Sequence, residues 1–130
     1  MKKLDKKITV IACVLAAVTI GIGAFGAHAL KGMVDAKALG SFETGVRYQM
    51  YHVIALLIVG LSPHIQESTK KWSFRFFIFG MILFSGSIYF LSLNAVLPFD
   101  SIALGIVTPI GGLFFMAGWL RLAYGLYMLK

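Results

Sequence analysis

Residues 8–30 read ITVIACVLAAVTIGIGAFGAHAL, a run with no Asp, Glu, Lys or Arg. About 20 predominantly apolar residues are what a helix needs to cross the roughly 30 Å hydrocarbon core of a bilayer. Four lysines, Lys2, Lys3, Lys6 and Lys7, precede the run. With Ala27-His28-Ala29 near its end, the segment has the outline of a secretory signal and its A-x-A site. It is longer than the usual signal core of about 7–15 residues, however, and is read as a retained span.

Three further apolar runs follow. The second covers 43–61 and is ended by Ser62-Pro63, because proline cannot continue a helix. The third covers 74–97 and leads into the turn Pro98-Phe99-Asp100-Ser101. The fourth covers 102–128 and contains Pro109. Such runs read as helices, since a backbone in lipid must satisfy its own hydrogen bonds. The expected fold is all-α: a polytopic membrane protein, a four-transmembrane-helix bundle forming one domain over residues 1–130. Between spans one and two, Asp35 is placed to cap a short interfacial helix reaching Leu39, and Ser41 to cap the second span.

Hydrophobic residues make up 59% of the chain and charged residues 13%, where a soluble domain carries about a quarter charged. The net charge of +7 does not indicate nucleic acid, because the basic residues flank apolar runs instead of forming a phosphate-binding stripe. With both termini on one side, that side holds nine of the 12 Lys and Arg residues, and Lys31, Lys37 and Arg47 fall on the other. This bias predicts cytoplasmic termini. Trp72 and Trp119 are then both expected near the cytoplasmic interface. The single cysteine, Cys13, cannot form an intrachain disulfide and reads as a small buried apolar residue.

Close helix packing in lipid relies on small residues and interhelical polar contacts. Gly21, Gly23 and Gly26 in the first span, Gly86 in the third, and Gly111, Gly112 and Gly118 in the fourth are the expected packing positions, within the bundle or between subunits.

Ionisable and polar residues inside spans are costly and mark candidate sites. The topology puts His28, Glu43, Arg47, Tyr48, Tyr51, His52, Asn94 and Thr108 together in the outer half of the membrane. Glu43, Arg47 and Tyr51 are four apart on one helix stripe, which allows a Glu–Arg ion pair. Such a cluster suits a lipid headgroup or a small amphiphile. It equally suits a structural role, with the tyrosines forming an aromatic belt and the histidines bridging helices. A small oligomeric transporter or channel lined by the same residues is the alternative, weakened by an inner half with no polar continuation. His28 and His52 could ligate a haem or metal, but two ligands are too few for a zinc site. No metal, cofactor or catalytic constellation is expected. Membrane lipids are the expected partners, with a second copy or another membrane protein on the glycine faces.

The blocks GAFGAHALK (23–31), FETGVRYQMYH (42–52), FSGSIYFLSL (84–93) and TPIGGLFFMAGW (108–119) resemble, in order, the domain-of-unknown-function 423 family of small bacterial inner-membrane proteins. That family is similar to the eukaryotic transmembrane protein 256 group. The resemblance implies a four-span protein of a bacterial cytoplasmic membrane and supplies no activity, substrate or site residue.

Overall fold

A computed structural model describes residues 1–129, and within them the chain is entirely helical. Helix α1 covers Lys3–Ala27, and a 3₁₀ turn, Leu30–Gly32, leads to α2, Ala36–Leu61. A third rod joins α3, Glu67–Gly80, through a π-helical turn at Met81–Ser85 to α4, Gly86–Ser92. A 3₁₀ turn at Ile102–Ile106 then enters α5, Val107–Tyr127. Three of the four rods are long and apolar enough to cross a membrane: those within Lys3–Gly32, Glu67–Ser92 and Ile102–Tyr127.

The expected short interfacial helix does not stand apart. Asp35 does act as a cap, its carboxylate accepting the Ala38 N–H at 2.8 Å, but it caps the whole of α2. Ser41 lies inside that helix. Continuity through Gly40 and Ser41 follows from tertiary anchoring, because Phe42 is buried against Gly26 of α1. The third rod begins seven residues before the expected Phe74. The polar face of its first turns is satisfied by α1 and α5, where Lys70 meets Asp5 at 2.6 Å and Arg121 donates to Thr69 at 2.9 Å. It ends at Ser92, five residues short of Leu97. There the Asn94 side chain folds the chain back, accepting the Ser101 N–H at 2.8 Å. Pro109 sits in the first turn of α5, where a missing N–H is tolerated.

Successive rods run antiparallel. Gly60 meets Thr9 and Gly26 meets Phe42 along the α1–α2 pair, while Gly118 meets Phe77 and Gly80 meets Phe115 along the α3–α5 pair. The α2 rod and the α3–α4 rod form the centre, with α1 on one flank and α5 on the other. Among the described residues the α2 and α5 backbones do not approach each other, which leaves the bundle open along that side. The apolar core (Ile8, Ala12, Leu56, Phe77 and Phe115 among others) fills the half nearer the chain termini. The far half buries the polar side chains of Thr19, Gln49, Ser85 and Ser87 beside apolar ones such as Leu30 and Phe42. Cys13, expected to be buried, faces outward, because about 100° of helix rotation separates it from the buried Ala12.

Candidate functional site

The open side between α2 and α5 forms a groove of about 630 Å³. Tyr48, Tyr51 and His52 of α2 make one wall, and Gly112, Met116 and Trp119 of α5 make the other. Phe84 of the π turn lies behind them, its ring 4.9 Å from that of Tyr48. The groove stops at His52, whose side chain spans the gap. The His52 ring stacks on Phe115 with centroids 3.5 Å apart and planes 6° from parallel. Its Nδ1 lies 2.6 Å from the Tyr48 carbonyl, and its Nε2 accepts the Trp119 Nε1–H at 3.1 Å. A carbonyl only accepts and an indole N–H only donates, so the network assigns the neutral tautomer with its proton on Nδ1.

Trp119 lies toward the middle of α5 with its indole bonded to His52, and Trp72 lies at the termini end with Arg75 5.0 Å over its ring; both rings are about half exposed.

The eight polar residues that the sequence groups together separate in space. His28 follows α1 with its ring exposed. The α1–α2 register pairs Gly26 with Phe42 and Gly23 with Val46, which puts His52 roughly 18 Å deeper than His28 at about 1.5 Å per residue. The two histidines do not share a ligand, and both nitrogens of His52 are already engaged. Among the described residues no group of three His, Cys, Asp or Glu converges. The Glu43–Arg47 ion pair is not formed. Arg47 donates instead to Thr44 Oγ1 at 3.1 Å: both side chains slope toward the N-terminus, which carries the guanidinium up to Thr44 and the Glu43 carboxylate up and away from it. Asn94 fixes the α4–α5 turn, and Thr108 lies 2.6 Å from the Ser87 hydroxyl. Only Tyr48, Tyr51 and His52 meet in one place.

Sequence reading also passed over a buried chain of hydrogen bonds centred on Gln49. The Tyr89 hydroxyl donates to Gln49 Oε1 at 2.7 Å, and Gln49 Nε2 donates to Thr19 Oγ1 at 2.7 Å. Thr19 in turn donates to the Leu15 carbonyl at 2.6 Å, so α4, α2 and α1 are joined through side chains. The signal was available, since an amide inside an apolar run must find partners.

The expected packing glycines divide likewise. Gly23, Gly26, Gly111 and Gly118 lie where a Cβ would press on a neighbouring helix. Gly111 is the tightest, against the backbone of Leu83 and Phe84 in the π turn. That turn is held from its other side by Ser85, which donates to the Gly45 carbonyl at 2.7 Å. Gly21 faces open space, Gly86 nearly so, and Gly112 would meet only the Phe84 ring edge at 3.9 Å. These three do not serve close packing within the protomer. Gly45, Gly60 and Gly125, which were not among the expected positions, do.

Residues 22–112 match the family described as "Protein of unknown function (DUF423)". A UPF0382 membrane protein of Staphylococcus epidermidis is 42% identical over 107 residues, covering 82% of this chain and 84% of its own. One from Haemophilus influenzae is 41% identical over 111 residues, 85% of this chain and 86% of its own. The UPF0382 inner membrane protein YgdD of Escherichia coli is 38% identical over 114 residues, 85% of this chain and 82% of its own. No solved structure matches the chain. The GAFGAHALK to TPIGG blocks, the apolar rods that carry them and this extent of identity make the chain a member of the DUF423 family of membrane proteins.

Proposed function

We propose that all four rods cross a bacterial cytoplasmic membrane with both termini cytoplasmic, and that the α2–α5 groove holds one chain of a membrane lipid or lipid-like amphiphile. The crossing of α2 is supported by its register. It runs beside α1 from Phe42 at Gly26 to Gly60 at Thr9, so where α1 spans, α2 spans too. Its polar residues Gln49 and His52 are turned inward, which makes its lower outward face apolar. The nine-to-three distribution of Lys and Arg supports the orientation. Cysteines at Lys37 and His64 in a Cys13→Ser background test it. Lys37→Cys is expected to react with an impermeant maleimide on intact cells, and His64→Cys only after permeabilisation.

The observation that carries the lipid reading is the floor of the groove. From the start of α5 at Val107 to Trp119 is about 18 Å of helix, close to half of a 30 Å hydrocarbon core. The groove is therefore as deep as one leaflet and is closed at the depth where a lipid chain from that leaflet ends. Its walls are apolar and aromatic, and its volume lies within the roughly 300–1,000 Å³ of small-molecule sites. The reading is non-enzymatic. The transporter alternative fares worse here, because beyond His52 the path runs into Phe77, Phe115 and Leu56. An added Cβ at Gly112 meets only the Phe84 ring edge at 3.9 Å, and Gly112 lines the groove, so Gly112→Leu is expected to extend into it. Native mass spectrometry of this variant is expected to show loss of co-purifying lipid at an unchanged unfolding temperature. Wild-type lipid retention would reject the groove as the site.

A further inference from the structure

Glu43 and Arg47 lie on the exposed stripe of α2, four residues apart, and neither bonds to the other. Gly40 lies above them with nothing within 4 Å of its added Cβ, and Tyr51, Ile54 and Ile58 continue the exposed stripe below. One acid, one base and an apolar tail on the outward face of a helix flanked by apolar rods form an unpartnered surface of defined charge pattern. Charges in such positions in a membrane pair with one another or with other polar groups.

We infer that this stripe packs against the same stripe of a second copy about a two-fold axis running along α2. In such an interface equal residue numbers sit at equal levels and each contact occurs twice. The Arg47 guanidinium stands at the level of residue 44, since it bonds the Thr44 hydroxyl. The Glu43 side chain slopes the same way, so the carboxylate of Glu43 of the partner subunit lies about one turn, roughly 6 Å along the axis, from that guanidinium, a gap that the long arginine side chain closes by leaving Thr44. Two reciprocal Glu–Arg pairs then form across helices about 8–10 Å apart, within reach of the two side chains together. The stripe is self-complementary: it brings one charge of each sign, and the two-fold exchange cancels both. Gly40 permits close approach at the top, and the isoleucines exclude lipid below. Tyr51 belongs to both surfaces, so a second copy on this stripe borders the α2–α5 groove, while Glu43 and Arg47 themselves lie outside its lining.

Charge reversal tests it with protein in lipid nanodiscs. Glu43→Arg and Arg47→Glu each place like charges opposite each other and are expected to lower the dimer fraction about tenfold or more. Two differently tagged chains, one carrying each reversal, are expected to co-purify as a heterodimer at wild-type yield. The chain carrying both reversals is expected to recover the homodimer. Independently, Ile54→Cys in the Cys13→Ser background is expected to cross-link to itself on mild oxidation. A monomeric wild type, or failure of the mixed reversals to associate, overturns the inference. So does cross-linking through a cysteine at Gly21 on α1 and not at Ile54. If instead both single reversals stay dimeric and Arg47→Glu only loses bound anionic lipid, Arg47 serves a headgroup and the dimer seam is refuted.

Discussion

Alanine at Gly111 and alanine at Gly21 make the same chemical change in two small-residue patterns that look alike in sequence. At Gly111 the added methyl meets the Leu83 and Phe84 backbone. Backbone cannot rotate aside, so α5 must back away from the π turn, and overpacking of this kind costs about 1–3 kcal/mol. Taking about 3 kcal/mol for a rigid neighbour, and returning about 1 kcal/mol for the better helix propensity of alanine, leaves a net loss of about 2 kcal/mol. At Gly21 nothing lies within 4 Å, so only the propensity gain of up to about 1 kcal/mol remains. For a chain of this length, about 3–4 °C of unfolding temperature accompanies each kcal/mol. Gly111→Ala is therefore expected to unfold about 7 °C lower than wild type, and Gly21→Ala up to about 3 °C higher. Thermal unfolding of both variants in one detergent, followed by circular dichroism, measures the contrast. If Gly111→Ala melts at or above the wild-type temperature, or the two variants shift alike, the packing argument fails.

Other sites offer sharper single-residue tests. Trp119→Phe keeps an aromatic side chain but removes the donor to His52 Nε2, and leaving a buried acceptor unpaired is expected to cost about 1–3 kcal/mol in the same melt. Gln49→Leu cuts the Tyr89–Gln49–Thr19 chain and is expected to cost about 1 kcal/mol, the modest value typical of hydrogen bonds between membrane helices. In the Lys70–Asp5 pair Lys70 is buried and Asp5 partly so, with side-chain exposures of 3% and 14%. Asp5→Asn strands the ammonium and is expected to cost about 3–5 kcal/mol, whereas Asp5→Leu combined with Lys70→Met is expected to recover most of that loss. A double variant no better than Asp5→Asn would show that the pair does more than neutralise itself.

Elements governed by local chemistry were legible without a structure. The apolar runs, the stop at Ser62-Pro63, the capping role of Asp35 and the all-helical class each depend on residues close in sequence. The extent of α2 was not, because helix continuity through Gly40 and Ser41 comes from Phe42 burying itself against Gly26, a contact 16 positions away along the chain. The early start of the third rod has a similar origin in Asp5 and Arg121. The candidate site was half visible. Tyr48, Tyr51 and His52 stood out as polar residues in a span, but their meeting with Trp119 depends on how far α2 and α5 stand apart.

By itself the sequence determined that the chain is helical, membrane-suited, biased in charge toward its termini and polar toward the opposite end, because hydropathy and charge act residue by residue. Which glycine touches a neighbour, which polar residue is paired and which faces outward were decided by tertiary structure alone. Those outcomes rest on the rotation and separation of the rods. A turn of one residue moves a side chain by about 100° around its helix, so Gly21 and Gly23, two apart and chemically identical, end on different sides.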